Sequence, residues 1–221
     1  MREATVTSRA AGQTQADIVA LEDMTSGQLA RRAKIIEAVI GLIADVGADA
    51  VQMRDVAQRS GVALATVYRY FSSKEHLVSA ALEDWQKRLT RRVLAGSRAA
   101  EQGPLPGVLD YLRRAQRAFH RNPEMTALML QAMTSTDAQA KAAIDHMSRT
   151  NADMFDRLLE GIAQENIPDV SFGLNAALTS ALTAVLTGAL TLEEALSRVE
   201  WVARTLIDAA THTDQAELKP E

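Results

Sequence analysis

The sequence predicts an all-α protein of about nine helices, in which a three-helix head containing a helix-turn-helix precedes a larger all-helical bundle. Three observations support this fold class. Two short segments with apolar stripes flank Gly61, apolar residues recur every three or four positions from Leu105 to Ala209, and Ser171 to Leu192 contains no charged residue. A chain of 221 residues has room for one or two domains with a sizeable core.

The first 27 residues are expected to form a flexible arm. They are rich in small polar residues and lack the continuous apolar run of a signal peptide. The whole composition is that of a soluble globular protein, with 47% hydrophobic and 24% charged residues. The sequence has no cysteine, which excludes disulfides and thiolate metal sites and fits a reducing cytoplasm.

The head is expected to begin with a helix whose apolar face includes Ile36 and Ile43 and which ends at Gly47. A shorter helix follows over residues 53–60. Gly61 comes directly after it, and a glycine there can adopt the left-handed conformation that turns the chain sharply. This spacing predicts the first half of a helix-turn-helix.

The second helix of that motif is expected to bury Leu64, Val67 and Phe71 together. Ser72 or Ser73 is expected to start a further, long helix, and Ser72 followed three residues later by Glu75 fits a capping box. The helix between them leaves a polar and aromatic face exposed, formed by Ala65, Thr66, Tyr68, Arg69 and Tyr70. Such a face is unusual for a helix that only meets solvent, and it favours DNA binding.

These residues resemble the TetR family of one-component bacterial regulators. The resemblance rests on Gly61, TVYRYF at residues 66–71 and SKE at residues 73–75, and it covers roughly residues 31–85. None of the departures from the family pattern removes a charged side chain. They are three small changes, at Ala63, Ala65 and Ser72.

The resemblance implies which residues contact DNA. Arg54, Thr66 and Tyr68 would meet base edges, and Ala65 would contact a thymine methyl group, whereas the other members would hold phosphates. An arginine can pair bidentately with guanine, and hydroxyl groups can bond to bases or to phosphates. The implied set is Arg54, Ala65, Thr66, Tyr68, Arg69, Tyr70 and Lys74.

The distribution of charge agrees with this interpretation. The chain has a formal net charge of -4, but residues 31–92 contain 11 Lys and Arg against 7 Asp and Glu, a net of +4. Residues 93–221 contain 11 against 17, a net of -6. A basic head on an acidic body is expected when only one part of a protein meets phosphate.

The region after the head is expected to hold a small-molecule sensor. A long helix over about residues 74–96 links the two parts, and Met125, Met129 and Met133 follow at i, i+4 and i+8. Methionine suits surfaces that adapt to apolar ligands, although core filling explains the same stripe. The candidate ligand-contacting residues are Trp85, Leu89, Leu112, Phe119, Met125, Met129, Met147, Met154 and Leu178.

The uncharged segment Ser171 to Leu192 approaches the ~20 residues that cross a bilayer. We reject a membrane span because the segment is weakly hydrophobic and lacks flanking basic residues. A helix that is apolar all round can instead be buried between its own domain and a partner subunit. In the TetR family the last two long helices form a four-helix dimer interface, which implies one here at Ala177, Ala181, Ala184, Gly188, Leu196, Val199 and Ala203.

A narrower resemblance points to the KstR-type subgroup of steroid-catabolism repressors. It rests on residues 51–71 (VQMRDVAQRSGVALATVYRYF), 117–133 (RAFHRNPEMTALMLQAM) and 198–207 (RVEWVARTLI). This resemblance implies a bulky apolar effector, such as a sterol-derived molecule or an acyl-CoA thioester.

Other classes of protein fit less well. The sequence has no GxSxG, HExxH or glycine-rich phosphate loop, and its four histidines show no metal-ligand spacing, so we expect no enzyme, cofactor or metal. A helical lipid or sterol carrier without DNA binding is the alternative. It explains the apolar bundle and the methionines, but it does not explain the exposed face of the helix-turn-helix.

We therefore predict a cytoplasmic repressor that binds a palindromic DNA operator as a homodimer and is released by a small hydrophobic effector. Repression is the behaviour that the family resemblance implies. The expected boundaries are an arm at 1–27, a DNA-binding domain at 28–76, a ligand-binding and dimerisation domain at 77–211 and a C-terminal tail at 212–221.

Overall fold

The computed structural model describes residues 23–95, 99–136 and 138–217, and all regular structure in these ranges is helical. Most of the predicted arm, residues 1–22, and the end of the predicted tail, residues 218–221, lie outside them. The nine α-helices of the described ranges are α1 Ser26–Val46, α2 Met53–Ser60, α3 Leu64–Tyr70, α4 Lys74–Leu94, α5 Pro104–His120, α6 Pro123–Met133, α7 Ala138–Leu158, α8 Ile167–Leu186 and α9 Leu192–Glu217. The all-α prediction is confirmed.

The first helix begins earlier than its apolar stripe predicts. Thr25 is the N-cap, and its hydroxyl and backbone N–H both pair with Gln28 in a capping box. The helix then buries one face, which includes Ile36 and Ile43, and ends at Gly47 as predicted. At the other end of the chain, α9 continues through Glu217 and so includes residues assigned to the tail.

The turn between α2 and α3 has the predicted geometry. Gly61 has φ 66° and ψ 30°, which is the left-handed conformation. The Val62 N–H donates to the carbonyl of Ala57 at 3.1 Å, so the turn also satisfies a carbonyl at the end of α2. Gly61 is therefore required by backbone conformation.

Two predictions about α3 were wrong. Leu64, expected in the core, is 41% exposed, whereas Tyr70, expected on the outer face, is 1% exposed. Val67, Tyr70 and Phe71 are spaced i, i+3 and i+4, so they form the buried stripe. Leu64 is the first residue of α3, so no preceding helical turn covers its side chain.

The predicted capping box between Ser72 and Glu75 was also wrong. α4 begins at Lys74, so Ser73 is the N-cap, and its hydroxyl accepts from the His76 N–H at 3.1 Å. Ser72 instead donates its backbone N–H to Nδ1 of His76 at 3.3 Å. This contact fixes the joint between α3 and α4.

Helix α4 connects the two parts of the protein. It packs against α1 in the head and against α5 and α7 in the body. Arg88 on α4 forms ion pairs with Glu37 on α1 and with Asp84 one turn away on its own helix. The Trp85 ring lies 5.8 Å from the ring of Phe119 on α5. The body is completed by α8 and α9, which pack against each other and against α5.

Helix α8 is long and apolar enough to cross a bilayer by length and composition, with a mean hydropathy of 1.3. One helix of this kind is weak evidence for a membrane, because buried helices of soluble proteins have the same composition. Only 28% of its apolar window is buried within the protomer.

Replacing Gly61 by alanine is expected to lower the free energy of unfolding by about 1–2 kcal/mol, because a Cβ is disfavoured in the left-handed region. Urea denaturation followed by circular dichroism measures this change. Gly27→Ala is the matched control. Gly27 lies in the first turn of α1 with no atom within 4 Å of an added Cβ, so this change should be neutral or stabilising. Equal destabilisation by both changes would contradict the role of Gly61.

Candidate nucleic-acid interface and ligand cavity

Helix α3 presents one exposed face. Ala65, Tyr68 and Arg69 are exposed and lie at i, i+3 and i+4, so their side chains share this face. Thr66 beside them is half-buried. On the preceding helix, Arg54 has a side chain that is 75% exposed, with its Nε 3.6 Å from Asp55. These residues offer hydroxyl, guanidinium and methyl groups to a partner.

Two further residues of the predicted DNA-contacting set are placed differently. Tyr70 is buried, and the guanidinium of Arg69 lies 5.6 Å from the centre of its ring. Lys74 is half-buried and donates from Nζ to the carbonyl of Asp49 at 2.6 Å. Tyr70 therefore packs beneath Arg69 of the exposed face, and the bond from Lys74 to Asp49 connects α4 to the segment between α1 and α2.

Several basic side chains of the head are used within the protein. Arg59 pairs with Asp45 at 2.5 Å, and it crosses α1 at Gly41, where an added Cβ would come within 2.6 Å of its guanidinium. By contrast, Lys34 is exposed and forms no ion pair with any residue the structure describes. Its Nζ lies 3.5 Å from the position of a Cβ at Gly61, beside the turn. The sequence interpretation missed Lys34, because only the turn places it there.

His76 lies at the joint between α3 and α4. Its ring meets Phe71 edge-on, with 5.4 Å between centroids. Burial, and then the positive charge of Arg32, lower the pKa of His76. The lowered pKa favours the neutral ring, in which Nδ1 can accept the Ser72 N–H.

A cavity of about 230 Å³ lies in the body and is lined by residues of α4, α5, α6, α7 and α8. Four predicted ligand-contacting residues line it: Leu89, Phe119, Met129 and Leu178. Four others are buried outside its lining, because they lie on helix faces that pack against neighbouring helices; they are Trp85, Leu112, Met125 and Met154. The side chain of Met147 is outside the described part of the chain.

The cavity also has a polar lining that the sequence interpretation missed. Each of these side chains is neutral, and burial raises the pKa of Tyr111 far above its usual range. In the sequence, the polar lining could have been recognised from polar residues spaced i and i+4 within the apolar stripes of α4 and α8. The polar lining residues are Gln86, Thr90, Tyr111, Ser148, Asn175 and Thr179.

The predicted dimer residues separate into two groups. Ala181, Val199 and Ala203 are buried within the protomer, because α8 packs directly on α9. The second group is more accessible: Gly188 is exposed, and Ala177, Ala184 and Leu196 are half-buried. A surface groove of about 480 Å³ between the two helices is lined in part by Ala177, Ala181, Ala184 and Val199.

Two exposed aromatic residues on this pair of helices were missed. Phe172 on α8 is 76% exposed, and Trp201 on α9 is 68% exposed. The predicted dimer contact was placed mainly on the small residues of α8 instead. Exposed aromatic side chains are typical of protein interfaces.

Within the described ranges, no group of three or more His, Asp or Glu side chains could hold a metal ion.

Comparison with known proteins agrees with both parts of the chain. Residues 35–81 match the model of "Bacterial regulatory proteins, tetR family", and residues 103–206 match that of "Tetracyclin repressor-like, C-terminal domain". The chain is 35% identical over 157 residues to the HTH-type transcriptional repressor KstR of Rhodococcus jostii, covering 70% of this chain and 73% of that protein. It is 36% identical over 137 residues to KstR of Mycolicibacterium smegmatis, covering 61% and 66%.

Solved structures show the same fold. A TetR transcriptional regulator from Rhodococcus sp. RHA1 superposes with a TM-score of 0.67 at 28% identity, covering 82% of this chain and 97% of that one. A tetR-family regulator from Streptomyces coelicolor has a TM-score of 0.67 at 20% identity, covering 87% and 86%. The exposed helix-turn-helix and these matches lead to one conclusion: the chain belongs to the TetR family of bacterial transcriptional regulators.

Proposed function

We propose that this regulator is a cytoplasmic repressor that binds a palindromic operator as a homodimer and is released by a small hydrophobic effector. The observation that supports this proposal most is the position of α4, which follows the helix-turn-helix and lines the body cavity with Gln86, Leu89, Thr90 and Val93. The proposed DNA-binding domain is residues 28–76, and the proposed sensor and dimerisation domain is residues 77–211.

For DNA recognition, α3 enters the major groove. Arg54, Thr66 and Tyr68 contact base edges, and Ala65 contacts a thymine methyl group. Arg69 contacts phosphate, and we add Lys34 to the phosphate contacts because it is exposed beside the turn. Tyr70 does not contact DNA itself, and its ring holds the guanidinium of Arg69 in place. Lys74 has two N–H donors left for a phosphate after its bond to Asp49.

The effector acts through α4. A ligand in the cavity contacts the same helix that holds the head through Arg88 and Glu37. If it favours a dimer in which the two heads are wrongly spaced for half-sites roughly 34 Å apart, it weakens DNA binding. Linkage requires that DNA weakens ligand binding by the same factor.

The resemblance to the KstR-type subgroup implies a sterol-derived effector or an acyl-CoA thioester, and the chain is 35% identical to KstR of Rhodococcus jostii. The cavity of about 230 Å³ is smaller than the ~300–1,000 Å³ usual for ligand sites. A sterol-sized molecule therefore requires side chains to move, and Met129 and Met133 in the lining have the flexibility to do so.

The dimer forms through α8 and α9 of two protomers. Phe172 and Trp201 project from this surface, and the groove between the helices is lined mainly by small and apolar residues. In a two-fold interface each protomer supplies both the projecting side chains and the groove. This arrangement buries the part of α8 that is exposed to solvent in a single protomer.

Arg54→Ala and Tyr68→Ala are each expected to reduce the preference for an operator over shuffled DNA at least about tenfold, because each removes a base contact. The operator is first selected from fragmented genomic DNA with the wild-type protein. Fluorescence anisotropy at several salt concentrations then measures both affinities. Wild-type affinity should fall steeply as salt rises, because phosphate binding releases counterions.

Arg157→Ala is the charge-matched control, since Arg157 is exposed on α7 in the body. It should leave operator preference unchanged. Unchanged preference in the Arg54 and Tyr68 variants would contradict their assignment. A wild-type protein that retains no DNA fragment would overturn the proposal and favour the lipid carrier.

Trp201→Glu is expected to convert the dimer to a monomer at micromolar concentration, because a carboxylate would be buried in an apolar interface. Sedimentation velocity measures the oligomeric state. Val46→Glu is the control, because Val46 is an exposed apolar residue at the end of α1, away from α8 and α9. A Trp201→Glu variant that remains dimeric would rule out this interface.

A further inference from the structure

The body cavity has no charged side chain in its described lining. Tyr111 is the single titratable residue among those lining groups, and burial keeps its phenol neutral. An ionised group inside the cavity would therefore lose its hydration without gaining an opposite charge, which is strongly unfavourable. The cavity suits a neutral molecule or the neutral part of a larger one.

Two helices line the cavity with the same pattern. On α4, Gln86 and Thr90 are polar at i and i+4, and Leu89 and Val93 are apolar at i+3 and i+7. On α8 the equivalent positions are Asn175, Thr179, Leu178 and Leu182. Each helix therefore places a polar row beside an apolar row. A ligand that satisfies both must be apolar over most of its surface and polar at a limited place.

Two polar groups in the cavity lining have unused hydrogen-bonding capacity, and the first is the carboxamide of Gln86. The residue is only 9% exposed, yet its carboxamide forms no hydrogen bond with any residue the structure describes. The hydroxyl of Tyr111, which lines the same cavity, likewise has no hydrogen-bond partner in the described ranges. Because both residues line the cavity, their unused donors and acceptors are available to a molecule bound there.

We propose that the effector presents a neutral oxygen, that of a ketone or an alcohol, to the carboxamide of Gln86 and the hydroxyl of Tyr111. Its apolar skeleton lies along Leu89, Phe119 and Leu178. The inference rests on the proposed function, in which this cavity is the effector site. A carboxylate is excluded from the cavity, and the charged portion of any CoA thioester lies outside it.

Four naphthalene compounds of equal heavy-atom number test the inference: 2-acetylnaphthalene, 1-(2-naphthyl)ethanol, 2-isopropylnaphthalene and 2-naphthoate. Their dissociation constants are measured at pH 7 by isothermal titration calorimetry on the full-length protein. The ketone and the alcohol are expected to bind roughly three- to tenfold more tightly than the isopropyl compound, the difference made by one neutral hydrogen bond. The naphthoate is expected to bind most weakly.

Gln86→Leu and Tyr111→Phe should each weaken binding of the ketone roughly three- to tenfold. The affinity for the isopropyl compound should stay the same or increase. Gln116→Leu is the matched control, because Gln116 is a buried amide on α5 that does not line the cavity and donates to the carbonyl of Leu112. It should preserve the ranking of all four compounds.

Several results would overturn the inference: equal binding of the ketone and the isopropyl compound, tightest binding of the naphthoate, equal weakening of all four compounds by Gln86→Leu, or no binding at all. DNA retention by the wild-type protein is measured separately. Its failure would overturn the proposed function, whereas the ranking of compounds reports on the cavity alone.

Discussion

The structure depends on α4 being one uninterrupted helix that packs in two places. It contacts α1 of the head and α5 and α7 of the body, and its ring contact between Trp85 and Phe119 lies beside the cavity. Arg88 adds an ion pair to Glu37. Because packed helices transmit displacement, α4 is a direct physical connection between the cavity and the head.

The head divides its positive charge between two uses. Arg59 and Arg88 are paired with carboxylates and hold helices together, whereas Lys34 and Arg69 have no acidic partner among the described residues. This division explains how an acidic chain can still present a basic surface. It also explains why counting charges along the sequence finds the basic region but not the residues that are available to a phosphate.

Helix α8 carries no charged residue after Asp169, and its sides meet different surroundings. Asn175 and Leu178 line the cavity, Ala181 packs in the core, and Phe172 is exposed. A helix that served only one of these contacts would carry charged residues on its remaining face. The uncharged composition thus combines residues that line the cavity with residues that pack in the core.

The sequence by itself determined the helices, the Gly61 turn and the helix-turn-helix, because caps, turns and apolar periodicity depend on residues within about four positions of one another. It also located Leu89, Phe119, Met129 and Leu178, which line one cavity. Only the tertiary structure decided that Tyr70 is buried and Leu64 exposed, and that Gln86 and Tyr111 line that cavity. An apolar stripe shows that a helix has a buried side, but which neighbour each residue meets is set by helices distant in the sequence.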